Sequence, residues 1–85
     1  MFVKSLIVEK TVQKKLNKLP IHIHKKCITI LDKIQTNPLI GIKLHGELSD
    51  YYKIRLGDYR IVYQFDAKES IVIIVKIEHR QGVYK

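Results

Sequence analysis

Residues 51–65, YYKIRLGDYRIVYQF, decide the fold of this chain. Two runs of alternating apolar and polar residues flank Gly57-Asp58, a Gly-X pair typical of a two-residue hairpin turn. With that turn, Arg55 lies opposite Arg60 on the neighbouring strand, and side chains alternate between the two faces. The pattern therefore predicts a β-hairpin with one basic face and one apolar, core-facing side: Tyr52, Ile54, Leu56, Tyr59, Ile61 and Tyr63.

The basic face of this hairpin carries two arginines directly opposite each other. Like charges in that position destabilise a sheet, so a hairpin selected only for stability would avoid the pair. The chain has three arginines among 16 basic residues, and two of the three meet here. Arginine presents a planar fork of donors that suits phosphate. A solvated basic face is the plain alternative, but the pairing favours a face that binds a polyanion backbone.

Length and charge limit the function classes. Residues 1–85 are predicted to form a single domain, since the chain is too short for two. A net charge of +8 favours a polyanionic partner, either nucleic acid or an acidic protein. No apolar run approaches the roughly 20 residues of a membrane span, so no membrane association is expected. A single cysteine cannot form an internal disulfide, which fits a cytoplasmic location.

The remaining elements follow from their periodicity. Residues 2–8 predict a strand, residues 10–19 a helix, and Pro20 the start of a second helix that ends by Asn37. Residues 38–50 are expected to be a loop, and residues 71–78 a β-branched central strand. The fold class is therefore α+β. A small antiparallel-rich sheet, with one N-terminal strand and a three-strand C-terminal meander, is covered on one face by an α-helical hairpin.

The last strand is expected to extend the basic face. If residues 66–70 form the connecting loop, Phe65 faces Ile71 and Arg60 faces Lys76. The strand end would then deliver His79, Arg80 and Tyr84 near the same face. Such a basic, partly aromatic concavity could bind RNA through phosphate contacts and base stacking, or could carry out chemistry on RNA.

The hairpin motif K-I-R-x-G-x-Y-R-I-x-Y and the terminal motif H-R-x-x-V-Y resemble the RelE/ParE superfamily of toxin–antitoxin toxins, and the RelE branch in particular. The layout matches over the whole chain, and the motifs are specific over residues 44–84. The resemblance implies an mRNA interferase, an endoribonuclease that cuts mRNA in the ribosomal A site and stops translation and growth. It also implies a RelB-like antitoxin. The catalytic positions of the family carry over to Lys53, Arg55, Arg60, Arg80 and Tyr84.

The chemistry of RNA cleavage can be matched to these residues. The 2′-hydroxyl attacks the phosphate, which requires a base, cations for the phosphorane and an acid for the 5′-oxygen, but no metal or cofactor. Lys53 is the expected base, because arginine keeps its proton. Arg60 would hold the non-bridging oxygens, Arg80 would stabilise the leaving oxygen, and Tyr84 would stack on a base or orient the 2′-hydroxyl. His79 and Lys76 are secondary candidates.

Two other functions of the whole chain stay open, and the role of the lysines on the first helix stays open as well. A ParE-like toxin would block DNA gyrase, and a non-catalytic module would only bind nucleic acid. His22 and His24 are two residues apart on a predicted helix, so they point to different sides and no metal site is expected. Four lysines of the first helix form either a solvated face or a contact to ribosomal RNA: Lys10, Lys14, Lys15 and Lys18.

Overall fold

The computed structural model describes residues 3–44, 46 and 50–79. The helices are α1 (Lys10–Asn17) and α2 (Ile21–Thr36). The strands are β1 (Ser5–Val8), β2 (Ile42–Lys43), β3 (Tyr51–Leu56), β4 (Tyr59–Asp66) and β5 (Ile71–His79). They form one sheet in the order β1-β5-β4-β3-β2, in which β1 runs parallel to β5 and all other neighbours are antiparallel.

This architecture confirms the predicted α+β class, with an N-terminal strand, a helical hairpin and a C-terminal meander. The expectation of a loop without regular structure over residues 38–50 is wrong in one respect. Ile42–Lys43 form the short edge strand β2, which pairs with Lys53 and Tyr52 of β3. The first strand is shorter than predicted and begins at Ser5, while Phe2 lies outside the described residues.

The helices lie where their apolar spacing predicts. Val12 and Leu16 of α1 are buried, and so are Cys27, Leu31 and Ile34 of α2. Pro20 occupies the N-cap position of α2, and its carbonyl accepts a hydrogen bond from the His24 amide at 2.9 Å. The helix ends before Asn37, whose extended backbone (φ −144°, ψ 88°) is the conformation that a following proline favours. Neither described helix is long and apolar enough to cross a bilayer.

The β3–β4 hairpin has the predicted register. Arg55 pairs with Arg60, Lys53 with Val62 and Leu56 with Tyr59. Gly57 takes a positive φ of 59°, and Asp58 does not. This combination is the type II′ turn, whose twist matches that of the two strands and whose first position requires glycine. The turn chemistry therefore determines which side chains form the basic face.

The predicted register between β4 and β5 is wrong. Phe65 pairs with Val72 rather than Ile71, because the connecting turn has four residues instead of five. A β-bulge between Val62 and Tyr63 then shifts the register once more, since Val62 pairs with Lys76 and Tyr63 with Ile74. The extra residue is on β5. Arg60 consequently lies opposite Glu78, and the expected row of Arg55, Arg60 and Lys76 across three strands does not form.

The core lies between the helices and one face of the sheet, and Tyr63 is its polar anchor. Its ring is fully buried and stacks on Tyr52 with a centroid distance of 5.3 Å. Its hydroxyl donates to the Pro38 carbonyl at 2.8 Å and accepts from the Gly41 amide at 3.0 Å. Burial raises the pKa of the Tyr63 phenol. A side chain at Gly41 would collide with this hydroxyl and with the Lys53 carbonyl, at 2.8 and 2.9 Å. The segment before β2 therefore depends on a glycine and a tyrosine hydroxyl.

Replacement of Tyr63 by phenylalanine should destabilise the fold by about 1–3 kcal/mol, because two backbone groups lose their hydrogen-bond partner. The matched control is Tyr52→Phe, since the Tyr52 hydroxyl makes no hydrogen bond within the described part of the chain. That change should cost less than about 0.5 kcal/mol. Urea unfolding followed by circular dichroism measures both, and equal midpoints for the two variants would contradict the assignment.

The buried thiol of Cys27 should make the folded protein less stable at alkaline pH. Its thiol is fully buried, and burial raises its pKa above the ordinary value. As the pH rises past about 8.5, the thiol ionises first in the unfolded chain, which favours unfolding. Its contribution is complete below that pH and falls above it. In urea unfolding with reductant between about pH 7.5 and pH 10, stability should fall less steeply for Cys27→Ala than for the parent. Parallel curves would exclude this effect.

Candidate functional site

The face of the sheet turned away from the helices holds a depression of about 500 Å³. Strands β3, β4 and β5 supply most of its lining, because alternate residues of each strand point to this side. The lining has three basic side chains, Lys53, Arg60 and Lys76, and two acidic ones, Glu9 and Glu78. The other lining residues are apolar or aromatic: Leu44, Tyr51, Val62 and Val75. Oriented donors beside apolar and aromatic surface suit a phosphate with an attached base.

The Arg60–Glu78 ion pair is the best-defined contact in the depression. Both Nε and Nη2 of Arg60 lie 2.5 Å from Oε2 of Glu78. The two side chains are 33% and 22% exposed, so the pair is only partly screened by solvent. The other carboxylate oxygen, Oε1, lies 3.9 Å from Nζ of Lys76. Glu78 therefore links two of the three cations that line the depression.

Lys53 and Arg55 differ in their surroundings although both are on β3. Lys53 is half-buried and lines the depression, whereas Arg55 is exposed and lies outside its lining. Within residues 3–44, 46 and 50–79, no carboxylate comes within 4 Å of either side chain. The structure thus brings Lys53, Arg60 and Lys76 together, with Arg55 beside them on the same face.

His79 does not join this group, contrary to the expectation. It pairs with Tyr59 at the end of β5, and its ring meets the Tyr59 ring edge-on at 4.7 Å. Tyr59 packs against the core, so His79 lies on the helix side of the sheet. The register is the cause, because Glu78 takes the open-face position beside Arg60. Arg80 and Tyr84 lie outside the described residues, and their roles stay predictions.

The four lysines of the first helix are all exposed. Lys10, Lys14 and Lys15 belong to α1, and Lys18 is its C-cap residue. Lys15 and Lys76 line the same shallow hollow of about 230 Å³ between α1 and β5. The basic surface of α1 is thus continuous with the edge of the depression on the open face.

The sequence interpretation missed the two acidic residues of the depression. Glu78 follows Lys76 with the spacing that puts both on one face of a strand, so its position could have been read from the alternation alone. The contact between Glu78 and Arg60 could not be predicted from the alternation, because this contact depends on the bulge in β5. No group of three or more His, Cys, Asp or Glu side chains in the described ranges is placed to hold a metal ion.

A larger depression of about 580 Å³ lies at the other end of β3 and β4. Its charged residues are Asp50, Asp66 and Lys43. Two carboxylates beside one amine repel a phosphate more than they attract it. The smaller depression on the open face is therefore the better candidate for a polyanion.

We expect the protein to become more stable when the Arg55–Arg60 pair is broken. Arg55→Gln removes a like charge opposite Arg60 and should stabilise the protein by roughly 0.2–1 kcal/mol at low salt, with a smaller gain in 1 M salt. Lys53→Gln is the control, because Lys53 faces the uncharged Val62. Urea unfolding at both salt concentrations measures the effect. A gain for Arg55→Gln that does not depend on salt would mean that charge repulsion is not its source.

The chain is similar in sequence and in fold to toxins of toxin–antitoxin systems. Residues 6–84 match the family model described as the ParE toxin of the type II toxin–antitoxin system parDE. The chain is 33% identical over 82 residues to RelE1 of Methanocaldococcus jannaschii, covering 92% of this chain and 91% of that one. It is 30% identical over 77 residues to the toxin RelG of Mycobacterium tuberculosis, covering 88% of each. The archaeal RelE–RelB complex from Pyrococcus horikoshii contains a similar structure, with a TM-score of 0.80, 30% identity and coverage of 95% and 98%.

Proposed function

The chain belongs to the ParE toxin family of type II toxin–antitoxin systems, and from this premise we propose that it is a ribosome-dependent endoribonuclease. It cleaves mRNA in the ribosomal A site and thereby stops translation. Two findings support this choice within the family. The curated relatives are named as RelE and RelG toxins, and the hairpin that carries the RelE-like motif lines the depression on the open face.

The observation that carries the proposal is the position of Lys53 and Arg60 in one depression. Cleavage begins when the 2′-hydroxyl loses its proton and attacks the neighbouring phosphorus. Lys53 takes that proton on its amine nitrogen, and no carboxylate lies within 4 Å in the described part of the chain to hold the side chain in an ion pair instead. Arg60 donates to the non-bridging oxygens, where negative charge builds up in the phosphorane.

The second half of the reaction releases the 5′-oxygen, which must gain a proton or a compensating charge. Arg80 is the residue proposed for this step, and Tyr84 is proposed to stack on a base or to orient the 2′-hydroxyl. Arg55 and Lys76 add positive charge beside the phosphate. The products are a 2′,3′-cyclic phosphate and a free 5′-hydroxyl, so the reaction needs no metal, oxidant or cofactor.

The ribosome is proposed to orient the reacting groups and so to compensate for the weak proton-transfer groups of this site. A lysine and arginines are weak proton-transfer groups at neutral pH, and proper orientation of the reacting groups can replace much of the missing catalytic power. The exposed surface of Lys10, Lys14, Lys15 and Lys18 is proposed to contact ribosomal RNA, whose phosphates attract such a surface without sequence selectivity. Free RNA should therefore be cleaved far more slowly than mRNA on the ribosome.

An antitoxin of RelB type is proposed to neutralise the toxin. The similar structure from Pyrococcus horikoshii is a complex of RelE with RelB, and a RelE–RelB complex is also known for Methanococcus jannaschii at 28% identity and a TM-score of 0.71. A net charge of +8 favours an acidic partner. The antitoxin would lie across the basic open face or the helices and restrain the toxin until it is removed.

Inhibition of DNA gyrase is the second candidate function, and one observation favours it. The family model that matches the chain is described by the ParE toxin. A gyrase inhibitor would use the basic face as a docking surface and would need no proton transfer at Lys53.

Primer extension on mRNA bound to stalled ribosomes separates these functions. The purified protein should produce breaks within the A-site codon that are absent without ribosomes. Arg60→Ala should reduce the cleavage rate roughly 100-fold or more, as expected for the loss of a charge-stabilising donor. Lys53→Ala should reduce it by at least about 100-fold. Lys68→Ala, in the exposed turn between β4 and β5, is the charge-matched control and should cleave normally.

Intact mRNA together with inhibition of gyrase supercoiling would establish the ParE-like function instead. A non-catalytic binding module would give a third result, in which both site variants lose RNA affinity and salt dependence and no variant cleaves.

A further inference from the structure

Arg60 lies between a residue of the same charge on one flanking strand and a residue of opposite charge on the other. Arg55 lies opposite it on β3, and Glu78 lies opposite it on β5. Repulsion from Arg55 and attraction to Glu78 both draw the Arg60 guanidinium toward β5, where it meets the carboxylate at 2.5 Å. The Arg60 side chain is therefore oriented mainly by its contact with Glu78.

We propose that Glu78 is a positioning residue that holds the Arg60 guanidinium in the orientation that binds the substrate phosphate. This role rests on the proposed nuclease function, because it assigns Arg60 to the reacting phosphate. Glu78 itself touches neither the phosphate nor the 2′-hydroxyl in this proposal. It acts through Arg60 and, more weakly, through Lys76.

The donors of Arg60 allow both partners at once. A guanidinium has five N–H groups. Nε donates a hydrogen bond to Oε2 of Glu78, and Nη2 lies 2.5 Å from the same oxygen as an ion-pair contact, so the carboxylate engages the Nε–Nη2 edge of the guanidinium. The second N–H of Nη2 and both N–H groups of Nη1 remain for a phosphate on the outer edge. Glu78 thus fixes the side chain without occupying the edge that a phosphate would use.

Electrostatics and positioning predict opposite effects on phosphate binding when Glu78 is removed. A carboxylate beside a phosphate site repels the ligand, so its loss should tighten phosphate binding. Positioning predicts weaker binding, because an unrestrained arginine loses side-chain entropy when it binds. The sign of the change therefore separates the two roles, and Glu9 is the matched control. It lines the same depression but makes no ion pair with Arg60 in the described residues.

The first test uses inorganic phosphate and needs no RNA cleavage. Backbone amides of the β3–β4 hairpin report phosphate binding in a heteronuclear NMR titration of the full chain at constant ionic strength. Glu78→Ala should weaken phosphate binding at least fivefold, whereas Glu78→Gln, which keeps an acceptor oxygen for Arg60, should stay within twofold of the parent or bind more tightly. Glu9→Gln should bind more tightly than the parent. Equal or tighter binding by Glu78→Ala would overturn the proposal.

The Arg60 side chain gives a direct signature of the same contact. The chain has only three arginines, so the Arg60 Nε–Hε signal can be assigned by its loss in Arg60→Lys. Its exchange with water should be at least tenfold faster in Glu78→Ala and within threefold of the parent in Glu78→Gln and Glu9→Gln. Unchanged protection in Glu78→Ala would show that Glu78 does not hold Arg60.

The ribosome assay then separates this proposal from the nuclease function. Single-turnover cleavage at saturating toxin should fall at least tenfold for Glu78→Ala and stay within threefold of the parent for the conservative Glu78→Gln and for the control Glu69→Gln, which lies in the exposed turn between β4 and β5. Full activity of Glu78→Ala would overturn the positioning role while the nuclease function stands. If the parent itself does not cleave, the nuclease function fails, and the phosphate and exchange results still decide whether Glu78 positions Arg60.

Discussion

The single extra residue in β5 is the constraint on which the open face depends. Before the bulge, Val72 and Ile74 point into the core. Strict alternation beyond Ile74 would send Lys76 and Glu78 into the core as well, and burial of two charged groups away from water is strongly unfavourable. The bulge shifts the alternation by one position, so that Ile77 enters the core and both charged residues return to the open face. The core and the basic depression can coexist only because of this irregularity.

The elements that the sequence predicts well are those with strong local chemistry. Glycine at the first turn position and alternation on both sides define the β3–β4 hairpin, and the residue before Pro38 defines the end of α2. The edge strand β2 has no such signal. It has two residues and depends on the buried hydroxyl of Tyr63, which bonds the segment around Gly41 from 22 positions along the chain. A partner so distant in sequence leaves no periodic pattern in residues 38–50.

The candidate site divides in the same way. The shared face of Lys53, Arg55 and Arg60 follows from the hairpin turn, so the sequence predicts it directly. The partner of Arg60 depends on the bulge in β5 and on the turn between β4 and β5, where Ser70 adopts a left-handed backbone with a φ of 59°. Serine is not a typical residue for that conformation, so the sequence gives no reason to expect a four-residue turn. The error of two positions in register keeps the face of each charged residue but replaces Lys76 with Glu78 as the residue opposite Arg60.

This replacement changes how the charge of the protein contributes to function. The chain has a net charge of +8, yet the depression combines three cations with two carboxylates. A nearly balanced site contributes little to long-range attraction, which falls off within about 10 Å at moderate salt. The exposed lysines of α1 are better placed for that purpose, because they are numerous, unpaired within the described residues and free to meet phosphates at many angles. The depression instead offers few donors in a defined orientation, and orientation is the property that favours a transition state over a ground state. Under the proposed function, the α1 surface would contact ribosomal RNA and the depression would act on mRNA, so the cleavage rate would depend on the ribosome that holds the mRNA in the depression.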